Sequence, residues 1–298
     1  MSKEDKTMGV RRPDRNAHST ARADRSGKNH STAKAVDRST IKPYEAEGNE
    51  NLRSRLDNRE AVEGKTEWPD TFELDGKTYK NEGILSASSG EAIVFAVSHA
   101  GKKYALKVYY YDPAHRPNHE VLEKIKNLGG NGLLVNIVSH GLWRNPNSPA
   151  LENDYELMDY CEGGSLDGVI LNGDEMTLSE VAVRIASAID FLAKHGIIHR
   201  DIKPSNFFYA DKEKTQIVLA DFGISVECPE GETVKIDQMR SPVYASPEFY
   251  TNVPGEAAEI GVESDYFSLG VSLLALWMGK DKLSANESQL LRSKHNET

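Results

Sequence analysis

The chain has 298 residues, of which 38% are hydrophobic, and a formal net charge of −10. That length suits one large domain or two small ones, and the apolar share is low enough to imply a polar appendage. The acidic balance argues against nucleic acid as the main partner of the folded part, and no run of about 18 or more apolar residues is present to span a membrane.

The start of the chain lacks the apolar core of a signal peptide. With only Cys161 and Cys228 present, the expectation is two reduced thiols in a cytoplasmic protein. Residues 1–40 contain no Leu, Ile, Phe, Trp or Tyr. Such a stretch cannot bury enough apolar surface to offset its ordering entropy, so residues 1–67 are expected to be a disordered polar tail.

Folded sequence is predicted to begin near Trp68-Pro69. Residues 72–79 alternate about Asp75-Gly76, a hairpin signal. Tyr79–Leu85, Ala92–His99 and Lys103–Tyr110 then read as three antiparallel strands, the last two joined at Ala100-Gly101. Between the first two lies Ser86-Ala87-Ser88-Ser89-Gly90-Glu91, whose small side chains would let backbone N–H groups approach an anion. Lys107 has apolar neighbours on both sides in Tyr104-Ala105-Leu106-Lys107-Val108-Tyr109. Its strand is therefore half buried, and a lone ammonium there needs a partner.

Asn118–Leu128 reads as a charged helix, with Val121, Leu122, Ile125 and Leu128 on one side. Glu120 and Glu123 lie three apart and share a face. Gly129-Gly130 breaks it. Leu134–Val138 and Asp154–Met158 are predicted strands, and Leu178–Leu192 repeats apolar residues at helical spacing until Gly196.

The next stretch, Ile197-Ile198-His199-Arg200-Asp201-Ile202-Lys203-Pro204-Ser205-Asn206, offers a carboxylate and an amide from one short loop. Phe207–Tyr209 and Ile217–Leu219 read as a hairpin around Asp211-Lys212-Glu213-Lys214. That hairpin would set Asn206 beside Asp221 of Asp221-Phe222-Gly223. Hard oxygen ligands along one edge suit Mg²⁺, which keeps waters and leans on phosphates.

From about Tyr79 to about Gly279 the chain resembles the protein kinase catalytic core. The ordered motifs are Lys107 on its strand, His199-Arg200-Asp201, Lys203, Asn206, Asp221-Phe222-Gly223 and Ser246-Pro247-Glu248. The implied fold class is α+β and two-lobed. An antiparallel sheet with one helix (68–158) joins through a hinge (159–164) to a mainly helical lobe (165–298).

The resemblance also implies a site for ATP and Mg²⁺. Leu85, Ser86, Ser88, Gly90, Ile93 and Ala105 would surround the nucleotide, with Met158 beside the adenine and the backbone of Asp159 and Cys161 bonding its edge. Ser86 and Ser88 stand where glycines are usual. Lys107 would meet the α- and β-phosphates and pair with a helix glutamate, Glu120 in preference to Glu123. Asp201 would be the general base, Lys203 would stand near the γ-phosphate, and Asn206 and Asp221 would hold the metal. Ser241 would bond Asp201 and Lys203 where a Ser/Thr-containing protein substrate lands. The alternative is a nucleotide-binding interaction module without phosphotransfer.

Asp265-Tyr266-Phe267-Ser268-Leu269-Gly270 opens an apolar helix, Val271–Met278, with Asp265 tying the catalytic loop from below. Nineteen residues follow Gly279. The expectation is an incomplete lobe whose base, including Leu273, Leu274, Leu276 and Trp277, is covered by a partner or a further segment.

Overall fold

Both predicted tight turns form because their residues accept left-handed backbone. Asp75 and Gly76 have φ of 49° and 72°, and Ala100 and Gly101 have φ of 49° and 80°, which matches the twist of two-residue hairpins. A computed structural model describes residues 68–87, 91–110, 116–147, 152–236, 241–249 and 257–286. The expected tail at 1–67 lies outside the described residues.

The first turn joins β1 (Thr71–Leu74) to β2 (Lys77–Ser86), and the second joins β3 (Ala92–His99) to β4 (Lys102–Tyr109). With β5 (Ile137–Arg144) and β6 (Glu152–Asp159) they make one antiparallel sheet, ordered β1-β2-β3-β4-β6-β5. Period-two alternation divides its faces. Phe72, Ile93, Phe95, Val97, Leu106, Val108 and Leu157 fill one core. The opposite face of β4 carries Ala105 and Lys107, which lie across from Met158 and Glu156 of β6.

Helix α1 (His119–Leu128) starts at Asn118, whose Oδ1 accepts from the N–H of Glu120 (3.0 Å) and Val121 (3.3 Å), satisfying donors that the first turn leaves unpaired. It buries Val121, Leu122 and Ile125. The run at Leu134–Val135, expected as strand, instead pairs with the later hairpin: Val135 N–H donates to the Leu219 carbonyl at 2.8 Å. The strand itself begins at Ile137 and extends to Arg144. An apolar run fixes burial, not which backbone it pairs with.

The second lobe follows β7 (Gly164–Ser165). Helix α2 (Glu175–Lys194) buries Val181, Ile185, Ala188, Ile189 and Leu192. Short β8 (Ile197–Ile198) leads into the loop, and a 3-10 turn at Pro204–Asn206 leads out of it. The predicted hairpin is β9 (Phe207–Tyr209) against β10 (Ile217–Leu219). Then come β11 (Val226–Glu227), which pairs with β8, β12 (Val234–Ile236) and β13 (Ala258–Ile260), which pair together, and helix α3 (Glu263–Met278).

Helix α3 carries a seam of buried hydroxyls. Ser268 Oγ donates to the carbonyls of Ser264 (2.9 Å) and Tyr244 (2.8 Å), and Ser272 Oγ to those of Ser268 (2.7 Å) and Ile202 (3.3 Å). Leu276, expected at an exposed base, is buried, whereas Leu274 is 49% exposed. Helical residues 280–286 bring Leu283 against Tyr244 and Ala275.

Candidate active site

The loop between β8 and β9 is anchored from below by Asp265. This carboxylate is 1% exposed and accepts from the N–H of His199 (2.7 Å) and Arg200 (2.8 Å). Burial pushes its carboxyl above the ordinary range despite those donors. His199 bonds the Ala220 carbonyl through Nε2 (3.1 Å) and accepts the Asp201 N–H at Nδ1 (3.2 Å), so the ring is set as the Nε2–H tautomer. It also meets Phe222 edge-on, with centroids 5.3 Å apart. Thus the loop and the Asp-Phe-Gly turn are held by one imidazole.

Above this floor the polar groups converge. Asp201 receives Ser241 Oγ on Oδ1 (2.6 Å) and Lys203 Nζ on Oδ2 (2.7 Å), and Lys203 also donates to Ser241 Oγ (2.9 Å). Asn206 is buried and gives its Nδ2 to the Asp201 carbonyl (2.7 Å) and Oδ2 (3.1 Å). The amide oxygen is left without a hydrogen-bond donor among the described residues. The Ala220 N–H donates to the Asn206 carbonyl at 2.9 Å, so the hairpin seats Asp221 one residue from that pair. Arg200, Asp221 and Ser241 all take left-handed backbone, with φ of 70°, 69° and 48°. Such strain in non-glycine residues is concentrated at functional sites.

Lys107 crosses from the sheet to this cluster. It is 5% exposed and donates to Asp221 Oδ1 at 2.5 Å. Burial pulls its pKa down, but the charges of Asp221 and Glu156 outweigh that and raise it. Burial likewise pushes Asp221 up, yet the Lys107 ammonium beside it holds the carboxyl at about 2. The second oxygen of Asp221 has no protein partner among the described residues. One Asp221 carboxylate oxygen and the Asn206 amide oxygen are hard donors, a set whose chemistry fits Mg²⁺ completed by phosphates and waters. Among the described residues no group of three or more His, Cys, Asp or Glu gathers as a closed cage.

Two expected placements are corrected. Glu120 is exposed and pairs with no cation among the described residues; Glu123 bonds His140 Nε2 (3.0 Å) and Lys126 Nζ (3.1 Å). The glutamate that faces Lys107 is Glu156, its register partner on β6. Ile93 packs in the core on the far side of the sheet. The residue opposite Lys107 on β3 is Val94, and successive residues of a strand point to opposite faces.

The remaining nucleotide candidates separate clearly. Met158 lies across from Ala105, and with Val135, Val218 and Ala220 it forms an apolar cluster against which Ala105, Cys161 and Phe208 pack. Phe208 was not anticipated; its only sequence signal is alternation with buried Phe207. Asp159 spends its N–H on the Asn136 carbonyl (3.0 Å) and its side chain on Lys102 (2.7 Å). Burial pushes the Cys161 thiol up to about 12. Leu85 is 46% exposed in a bulge between the pairs Ile84–Phe95 and Ser86–Val94, and Ser86 is exposed. Ser88 and Gly90 lie outside the described residues.

Glu156 gives a pH signature. It is fully buried, and burial pushes its carboxyl to about 7, above its ordinary 4.5, against the pull of Lys107; Asp221 pushes it further and the Tyr109 hydroxyl bond opposes. A raised carboxyl means that the folded state holds the extra proton, so the stabilisation is complete below 4.5 and is lost as pH rises through about 7. Without nucleotide, stability is expected to fall by on the order of 3 kcal/mol across that window. Melting temperature followed from pH 4.5 to 8 should show the decline in the wild type and a flatter course in Glu156→Gln. Parallel curves would refute the assignment.

An antiparallel sheet with one helix, joined to a helical body bearing the Asp201–Asn206 loop and the Asp-Phe-Gly turn, is the two-lobed protein kinase fold. The chain belongs to the protein kinase family: the family model described as Protein kinase domain matches residues 86–298. It is 34% identical over 166 residues to calcium-dependent protein kinase 8 of Arabidopsis thaliana, covering 52% of this chain and 30% of the relative. It is 34% identical, also over 166 residues, to calcium-dependent protein kinase 20 of Oryza sativa subsp. japonica, covering 52% and 29%. With calcium-dependent protein kinase 14 of Arabidopsis thaliana it shares 35% over 145 residues, covering 45% and 26%. The matched stretch thus spans under a third of these relatives' length. No helix among the described residues is long and apolar enough to cross a membrane.

Proposed function

We propose that the chain transfers the γ-phosphoryl group of ATP to serine or threonine hydroxyls of a protein substrate, within a domain of residues 68–298 acting in the cytoplasm. The observation that carries this is Asp201, gripped between Lys203 and Ser241 within the same cluster that receives Lys107 from the sheet through Asp221. The adenine is assigned to the apolar cluster of Met158, Ala105 and Phe208. The Asp159 N–H is spent on the Asn136 carbonyl, so of its backbone only the carbonyl is assigned to the adenine, accepting from the amine.

Asn206 and Asp221 would hold Mg²⁺, which supplies neutralisation of charge on the phosphate oxygens. Lys107 orients the α- and β-phosphates. Asp201 accepts the proton of the attacking hydroxyl as its oxygen bonds the γ-phosphorus and ADP leaves. Ser241 and Lys203 keep that carboxylate aimed at the landing site. Little covalent work falls to the protein, so positioning and fixed charge supply the rate.

A second reading, nucleotide binding without transfer, is favoured by one feature: helix α1 gives Lys107 no carboxylate. Labelled-ATP incorporation into a serine-rich protein, beside Asp201→Asn, separates the two. The expected result is transfer by the wild type, reduced at least about a hundredfold in the variant. Nucleotide binding by the wild type with no transfer overturns the kinase reading.

A further inference from the structure

Resting on the kinase reading, Lys107 requires a fixed anion once bound phosphate and metal compete for Asp221. We propose that Glu156 of strand β6 is the positioning residue for Lys107, in place of a helix glutamate, so that the lysine's second ion pair is contained within the sheet. Lys107 and Glu156 are opposed in adjacent antiparallel strands, so their side chains leave the same face with Cβ atoms about 5 Å apart.

Glu156 is 0% exposed. Its Oε2 accepts the Tyr109 hydroxyl at 3.0 Å, while Oε1 is buried with no hydrogen-bond partner. A buried carboxylate oxygen left bare is costly, and the cation facing it is Lys107. The groups around this carboxylate are Lys107 and Tyr109 from β4 and Asp221 from the Asp-Phe-Gly turn. When Asp221 turns to a metal, Oε1 of Glu156 is a vacant acceptor on the lysine's own face.

Tyr109 ties the carboxylate to that turn. The Lys107 ammonium lies 4.7 Å from its ring centroid, and a Cβ placed on Gly223 would come 2.5 Å from its hydroxyl. Glycine at 223 therefore keeps room for the hydroxyl that holds Glu156. Helix α1 is secured separately: His119 and Arg116 bond Asp154 (both 2.7 Å), and Glu123 bonds His140. Movement of that helix leaves Lys107 paired.

The test uses the full chain with Mg²⁺, steady-state ATP kinetics and the dissociation constant of a fluorescent ATP analogue. Glu156→Gln is expected to lower kcat/KM about 10- to 100-fold, with KM for ATP raised several-fold. Glu120→Gln and Glu123→Gln should stay within about twofold of wild type. In a Lys107→Met background, Glu156→Gln should change the dissociation constant by less than about twofold, since a residue acting through the lysine has nothing left to position. At pH 7.5 the Glu156→Gln melting temperature should be no lower than that of wild type. Glu156→Gln within twofold of wild type, loss confined to Glu120→Gln, or an equal effect in the Lys107→Met background would each overturn the proposal. A wild type that binds nucleotide but transfers nothing defeats the kinase reading while the binding cycle still decides the role of Glu156. A wild type that binds no nucleotide defeats both.

Discussion

An Asp221→Asn protein is expected to fold normally and to transfer phosphate at least about a thousandfold more slowly than wild type. The fold should survive because the left-handed backbone at 221, φ 69°, is one that asparagine adopts readily. What disappears is charge. Asp221 is the anion that the buried ammonium of Lys107 touches, and the carboxyl is held near 2, so it is ionised at every working pH. The neutral amide leaves Lys107 with one anion fewer, Glu156 remaining, and removes the anionic member of the oxygen pair proposed with Asn206. One preorganised electrostatic group is typically worth about 10²–10³ in rate, and this one serves both a cation and a lysine. Turnover at saturating Mg·ATP is the measurement; a rate within about tenfold of wild type would sink the assignment.

Asp265→Asn should act through the fold instead. Two backbone N–H groups, of His199 and Arg200, both end on the Asp265 carboxylate. Asparagine offers one oxygen to two donors and turns its own amide hydrogens against the second. Breaking a buried charge-assisted arrangement of this kind costs about 3–5 kcal/mol, which corresponds to a melting temperature lower by roughly 10 °C. The strained backbone of Arg200, φ 70°, persists only while its surroundings hold it there. Asp201 follows directly, so kcat should fall along with stability. Unchanged melting and unchanged kcat in the same preparation would refute the anchoring role.

Local chemistry was the legible part of the sequence. Asp75-Gly76 and Ala100-Gly101 specified their hairpins, because turn geometry depends on those residues alone. The β9–β10 pairing followed from two apolar triplets around a polar turn. Groups whose meaning depends on a distant partner were harder. Glu120 and Glu123 look alike in sequence, and only the packing of α1 shows Glu123 committed to His140. Glu156 lies between Tyr155 and Leu157 in an apolar strand, where nothing local shows that it points at Lys107. Ile93 lies on the core face and not beside Lys107, because the register of a strand, not its composition, decides which alternate residues face which way. Leu276 was expected at the surface, yet the Leu171 N–H donates to its carbonyl at 2.6 Å and the side chain is buried.

The hydroxyl seam of α3 has a mechanical consequence. Ser272 holds Ile202, next to Asp201, and Ser268 holds Tyr244, three residues after Ser241. Both attachments sit on one rod, a single helical turn apart. Turning or sliding that rod would carry the Asp201 loop and the Ser241–Tyr244 segment together, so their spacing is geared to one element.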